Sequence, residues 1–166
     1  MSGLAIKDDA LIMAEAIRLV SEGVSVTFPV KGRSMLPFIV GGRDSVILEK
    51  PESLRCGDVV LAQVVSGNVV AEDCKNLEFA EKRYVVHRIV ALEGEHITLM
   101  GDGNLALREH CSRSDVCAKV IAVVKPNGKR CSIGALRYRI AAKIWYILLP
   151  LRRYLLWIYR KVKNEN

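Results

Sequence analysis

The chain has 166 residues, of which 51% are hydrophobic and 26% are charged, a composition typical of one globular domain that excludes a disordered or low-complexity protein. The formal net charge is +7, but residues 125–166 hold eleven Lys and Arg against one acid, whereas the rest of the chain has more acids than bases. The basic character therefore belongs to the C-terminal segment, which argues against a nucleic-acid partner for the body of the protein.

The N-terminal 23 residues are predicted to form a helical unit. Asp8 or Asp9 is placed to cap the helix, and Gly23 is placed to end it at the C′ position. Four apolar residues within 10–22 fall on one helical face: Ile12, Ala16, Leu19 and Val20. The N-terminus has neither a basic start nor a continuous apolar core, so we do not expect a secretory signal.

Residues 24–132 are predicted to form a β-rich domain. The first strand is "VSVTFPV" at 24–30, and β-branched runs separated by Gly, Asn and Asp turn signals predict the others. These later strands are predicted at 45–49, 58–65, 68–72, 83–93, 96–101 and 118–125. The expected fold class is mainly β, a coiled antiparallel sheet with flanking helices.

Residues 133–166 are predicted to form a basic amphipathic helical tail that Pro150 kinks or divides. Its apolar stripe consists of Ile140, Ile144, Ile147, Leu148, Leu151, Leu155 and Ile158. The longest uncharged run is eight residues, 144–151, well short of the ~20 that span a bilayer. We expect the tail to lie on an anionic membrane surface without crossing it. The alternative is that the stripe packs on the β-domain or on a second copy of the chain.

None of the five cysteines belongs to a C-x-x-C pair, and with no secretory signal we expect reduced thiols in a cytoplasmic chain. His110, Cys111 and Cys117 match no common zinc spacing. We therefore expect no metal and no cofactor.

Three separate segments hold residues suited to nucleophilic catalysis. Ser34 lies in "VKGRSMLPFI", His87 lies inside the apolar run "YVVHRIV", and Asp102 lies in the glycine-flanked turn "MGDGN". A serine hydroxyl becomes a good nucleophile only when a base accepts its proton and donors receive the oxyanion. Ser34, His87 and Asp102 would supply a nucleophile, a base and an acid, although each also has an ordinary structural explanation.

The motifs "GRSMLPFIVGGRD", "GDVV", "VVHRIV" and "MGDGN" resemble, in order and spacing over about residues 24–124, the conserved boxes of the signal peptidase I and LexA-like serine peptidase superfamily. The resemblance implies that Ser34 is the nucleophile and that His87 is the base, as in the archaeal and endoplasmic-reticulum type of signal peptidase. Arg88 is no substitute for the lysine base of other members, because a guanidinium stays protonated.

The same resemblance implies an oxyanion hole formed by the backbone N–H groups of Arg33 and Ser34, and a peptide substrate bound in extended form at a strand edge. For the third catalytic residue, Asp102 is the first choice and Glu109 the second.

The expected function is therefore a serine endopeptidase of signal- or leader-peptidase type, in a cytoplasmic chain attached peripherally to a membrane. One alternative is a self-cleaving LexA-like regulator, which the sequence disfavours because it has no Ala-Gly dipeptide and little chain before Ser34 for a DNA-binding domain. Another is a non-catalytic β-domain that binds a peptide or a membrane.

Overall fold

The computed structural model describes residues 2–65 and 82–164. Helix α1 (Ser2–Ser21) comes first, and helices α2 (Leu136–Ile147) and α3 (Arg152–Asn164) come last. The strands between them are β1 (Val26–Pro29), β2 (Ser45–Glu49), β3 (Val59–Val65), β4 (Lys82–Glu93), β5 (His96–Met100), β6 (Glu109–Ser112), β7 (Val116–Val124) and β8 (Arg130–Ser132). The strand predicted at 68–72 lies outside the described residues.

The described strands form one open, antiparallel sheet. Its order is β1-β2-β7-β3-β4-β5-β6, and β8 pairs with β7. The register shifts at three points, within the β2–β7, β3–β7 and β4–β5 pairs. Such irregularities increase the local twist and bend a sheet. The predicted fold class, mainly antiparallel β with flanking helices, is confirmed at this level of detail.

Two apolar clusters form the core. The first joins β1, β2 and β7 to α1, with Val20 of the helix fully buried beside Leu48 and Val120. The second lies along β3, β4 and β5 and includes Val60, Ile89 and Leu99. Buried and more exposed residues largely alternate along β7, as expected for a strand with one face on the core.

The structure corrects the start of α1 and confirms its end. The helix begins at Ser2, so the prediction that Asp8 or Asp9 is its N-cap is wrong: the good helix formers that precede the two acids extend the helix upstream. The prediction for Gly23 is confirmed, because its φ is +88° and its N–H bonds to the Val20 carbonyl just past the helix end.

The tail is divided as predicted, since a single 3-10 turn (Leu149–Leu151) containing Pro150 separates α2 from α3. The exposed side of both helices carries most of the predicted apolar stripe: Ile140, Ile144, Ile147, Leu151 and Ile158. The alternative that this stripe packs on the β-domain is therefore wrong. Among the described helices, none combines the length and apolar character needed to cross a membrane.

Candidate active site around Ser34 and His87

Ser34 lies in the loop between β1 and β2, which hydrogen bonds close at its base. The Val30 N–H donates to the Asp44 carbonyl at 3.2 Å, and the Gly42 N–H donates to the Val30 carbonyl at 2.7 Å. Gly32 has a φ of +83°, and a Cβ on Gly41 would collide with the Gly32 backbone. We call this segment, residues 30–44, the serine loop. Its two halves approach more closely than side chains at Gly41 would allow.

The Asp44 carboxylate, which is almost fully buried, anchors the end of the serine loop next to β2. It accepts hydrogen bonds from the Val40 N–H at 2.9 Å, from Lys125 Nζ at 2.7 Å and from Arg43 Nε at 2.7 Å. Burial raises the pKa of Asp44, but these donors outweigh burial and lower the pKa to about 2. The carboxylate is therefore ionised throughout the neutral range.

His87 lies in the middle of β4, is 4% exposed, and is paired with Glu109 of β6. Its Nδ1 lies 2.5 Å from Glu109 Oε2, and the other carboxylate oxygen of Glu109 accepts a hydrogen bond from Arg83. Burial raises the pKa of Glu109, but His87 and Arg83 more than offset burial and lower this pKa below its ordinary value. An ionised carboxylate on Nδ1 keeps the proton there and leaves Nε2 as the ring nitrogen available to a substrate or nucleophile.

The turn after β5 brings the serine loop to His87. Arg88 is opposite Met100 in the β4–β5 register, so continuing by one residue places Gly101 opposite His87. A Cβ on Gly101 would collide with the Ser34 carbonyl oxygen and would lie 3.1 Å from His87 Nε2. Two residues on, the Gly103 N–H donates to the same Ser34 carbonyl at 2.6 Å. The Ser34 backbone and His87 Nε2, 53 positions apart in the sequence, therefore both lie next to Gly101.

Asp102 does not contact the imidazole, so its assignment as the acid beside His87 is wrong. It receives two hydrogen bonds from Arg88, at 2.8 Å from Nε and 2.6 Å from Nη2, and both side chains are buried. Burial lowers the pKa of Arg88, but pairing with Asp102 raises it to a greater extent. Neighbouring strand residues point to opposite faces. His87 and Arg88 therefore bind different carboxylates, and the planar Arg88 guanidinium donates to both oxygens of Asp102.

The predicted oxyanion donors, the N–H groups of Arg33 and Ser34, make no hydrogen bond within the described parts of the chain. Ser34 is partly exposed, whereas Met35 and Leu36 that follow it are buried. Met35 joins the first core cluster, and Leu36 packs against Leu156 of α3. Ser34 thus lies at the protein surface, and the buried apolar residues that follow it attach the loop to the body.

Several residues near the site were not predicted from the sequence. Arg83 contacts Glu109, and its position four residues before His87 places it on the same face of β4. The tail also reaches the turn that carries Asp102: Trp145 Nε1 donates to the Asp102 carbonyl at 2.7 Å, and Arg152 Nη1 donates to the Asn104 carbonyl at 2.8 Å. The period-two pattern of β4 indicates that Arg83 shares a face with His87, but no local pattern indicates that the tail contacts this turn.

The residues considered as metal ligands do not assemble into a site. Within the described residues, no group of three His, Cys, Asp or Glu side chains is arranged to hold a metal ion. Burial raises the pKa of the Cys111 thiol to about 11 and also raises the pKa of Cys117. A protonated thiol is a poor ligand, because the thiolate is the form that binds metals.

A separate groove of about 920 Å³ lies between α2 and the sheet, on the side of β4 that carries Arg88. Its walls include the apolar residues Ile89, Val120 and Ile140 and the basic residues Arg55, Arg139 and Lys143. Neither Ser34 nor His87 lines it. The groove and the serine site are therefore distinct features of the surface.

Comparison with protein-family models, with curated proteins and with solved structures finds no match for this chain.

Proposed function

We propose that the protein is a serine endopeptidase of the signal- or leader-peptidase type, with Ser34 as nucleophile, His87 as base and Glu109 as the acid that orients the base. The observation that carries the proposal is the position of His87, between the Glu109 carboxylate on Nδ1 and the serine loop beside Nε2. A buried histidine with one nitrogen on a carboxylate and the other facing a loop that carries a serine supports an assignment as nucleophile, base and orienting acid. The motif resemblance supports the same assignment for Ser34 and His87.

In the proposed reaction, Ser34 Oγ attacks the scissile carbonyl carbon while His87 Nε2 accepts the hydroxyl proton. Glu109 keeps the other ring nitrogen protonated and stabilises the imidazolium that forms. The N–H groups of Arg33 and Ser34 receive the oxyanion of the tetrahedral intermediate. The C–N bond then breaks, His87 gives the proton to the leaving amine, and water hydrolyses the acyl-enzyme ester to regenerate Ser34.

The proposed substrate is a peptide segment in extended conformation. Strand β1 is an outer strand of the described sheet and leads directly into the serine loop. An outer strand offers unpaired backbone groups to an added strand, so a peptide paired along β1 would run toward Ser34. This gives backbone recognition of the substrate, with sequence preference left to side-chain contacts.

The experiment compares the wild-type protein with Ser34→Ala and His87→Ala on a peptide library, with new termini identified by mass spectrometry. We expect the wild type to cleave and each variant to lose at least ~10³-fold of the rate, with the double variant little worse than either. Ser114→Ala and His96→Ala, two exposed positions away from the site, are matched controls and should cleave normally. Full cleavage by His87→Ala, or no cleavage by a folded wild type, would refute the proposal.

A further inference from the structure

The C-terminal tail, residues 136–164, has two different faces. One face packs on the body: Trp145 donates to the Asp102 carbonyl, and Leu156 lies with Leu36 and Val40 in a small apolar cluster. Arg152, only 1% exposed, bonds to the Asn104 and Trp145 carbonyls. This face fixes the tail against the serine loop and the turn beside it.

The second face is apolar and uncovered in the described structure. It includes residues of α2, of the turn at Pro150 and of α3, and within each helix spacings of three and four residues place its members side by side. We call it the tail stripe, and its exposed members are Ile144, Ile147, Leu151, Tyr154 and Ile158; Ile140, which lines the groove beside α2, is not counted in it. Each is at least 50% exposed. Since the opposite face already attaches the tail to the body, burial of the stripe is not needed to keep the tail in place.

The charge around the tail stripe indicates what covers it. Residues 136–162 contain seven Lys and Arg and no acid, and Arg137, Lys143, Arg153 and Lys161 are exposed. Arg139 and Lys143 also line the groove beside α2. A second copy of the chain would bring two such basic surfaces together, and like charges repel. An anionic bilayer offers both an apolar interior for the stripe and negative headgroups for the cations.

We propose that the tail stripe inserts into the interfacial region of an anionic membrane, between the headgroups and the acyl chains. The flanking Arg and Lys contact the headgroups, while the opposite face stays packed on the serine loop. Trp157 and Tyr154, both more than 60% exposed, suit the boundary between headgroups and acyl chains. Because the same helices contact the loop that carries Ser34, docking would hold that loop close to the bilayer surface. The docking itself is independent of the serine chemistry proposed above.

The test uses the full chain, because deleting the tail would also remove Trp145, Arg152 and Leu156 from the body. A triple variant, Ile144→Glu, Ile147→Glu and Ile158→Glu, changes only exposed positions of the stripe. Its matched control is Leu11→Glu with Ile12→Glu, two exposed apolar residues of α1. Each protein is sedimented with vesicles of phosphatidylglycerol and phosphatidylcholine, and with phosphatidylcholine alone, at low and high salt. Light scattering gives the molecular mass without lipid.

The wild type and the α1 control should sediment with anionic vesicles at low salt, and binding should fall at least tenfold in the triple variant and on neutral vesicles. The Ser34→Ala protein should bind like the wild type, so that a failure of docking and a failure of catalysis are distinguishable. Wild type that stays in the supernatant, or a triple variant that binds like the wild type, would overturn the proposal. A wild-type dimer that the triple variant converts to monomer would also overturn it, in favour of a second copy on the stripe.

Discussion

Two adjacent residues of β4, His87 and Arg88, each bind a buried carboxylate, on opposite faces of the strand. Glu109 binds the imidazole and Asp102 binds the guanidinium. Buried polar groups need hydrogen-bond partners, and a buried charge is costly unless it is paired or hydrogen-bonded. The two acids therefore have different partners: one binds the imidazole that we propose as the base, and the other neutralises an arginine within the body.

Glu109→Gln should lower kcat by about 10²–10⁴-fold with a modest loss of stability, because the amide no longer provides the negative charge that stabilises an imidazolium. Asp102→Asn should instead lower the free energy of unfolding, by about 3–5 kcal/mol, because it leaves the buried Arg88 without its counter-charge. Steady-state kinetics and urea unfolding measure the two effects. If a folded Asp102→Asn protein lost turnover while Glu109→Gln kept it, the assignment of the acids would be wrong.

Gly101 separates the serine loop from the imidazole, so its missing side chain matters. Gly101→Ala should lower kcat by at least about 100-fold, because a displacement of the reacting groups by 1 Å has an effect of that order, and the new Cβ would collide with the Ser34 carbonyl oxygen. Gly134→Ala is the matched control, since its Cβ would meet only Ser132 Oγ, at 3.8 Å. Equal kinetics for the two variants would show that the close approach at Gly101 is not needed.

Sequence patterns predicted much of this site but not its pairing. Ser34 and His87 were predicted from motifs, and in the structure the Ser34 backbone and the His87 ring both border Gly101. The acid was misassigned because Asp102 is nearer in sequence to His87, whereas contact depends on strand pairing: Glu109 reaches His87 from β6, a strand that the pattern "EHCS" did not predict. Without apolar alternation, such a short outer strand carries no local signal.

The serine loop between β1 and β2 depends on one buried acid, Asp44. Asp44→Asn should lower the free energy of unfolding at pH 7 by roughly 2 kcal/mol, since the pKa of Asp44 is lowered from 3.8 to about 2 in the folded state. A carboxyl whose pKa is lower in the folded than in the unfolded protein stabilises the fold at pH values above its unfolded-state pKa. This contribution is lost as the pH falls through its folded-state pKa. The difference from wild type should therefore shrink between pH 4 and pH 2.

Urea unfolding of the Asp44→Asn protein at several pH values measures this difference. Glu15→Gln is the control, because Glu15 forms an exposed pair with Arg18 on α1, and exposed pairs contribute little. A stability difference that stayed constant from pH 7 to pH 2 would show that the ionised Asp44 carboxylate is not its source.

The helical pattern of the tail predicted its exposed face but not the face that packs on the body. The apolar stripe and the break at Pro150 were predicted, but the face that packs on the body includes Arg152, whose charge suggests exposure. Burial of Arg152 is compatible with the fold because its guanidinium bonds to two backbone carbonyls and lies over the Trp145 ring, 5.5 Å from its centroid. These partners come from distant parts of the chain, so helical periodicity did not predict the packed face.

Across the whole molecule, the chemistry and the charge occupy different parts of one chain. The β-sheet body carries the proposed catalytic residues and more acids than bases, whereas the segment 125–166 carries the positive charge. The tail contacts the serine loop on one face and exposes its stripe on the other. If both proposals hold, the tail keeps the protein at a membrane surface and the sheet carries the peptidase site.

The most direct measurement is covalent labelling of the folded protein with a serine-reactive fluorophosphonate, followed by intact mass spectrometry and peptide mapping. We expect one adduct per chain, located on Ser34, absent in Ser34→Ala and formed much more slowly in His87→Ala and Glu109→Gln. The exposed-site control Ser114→Ala should label like the wild type. An adduct on a different serine, or labelling of Ser34 that is as fast in His87→Ala as in the wild type, would show that Ser34 and His87 do not act as nucleophile and base.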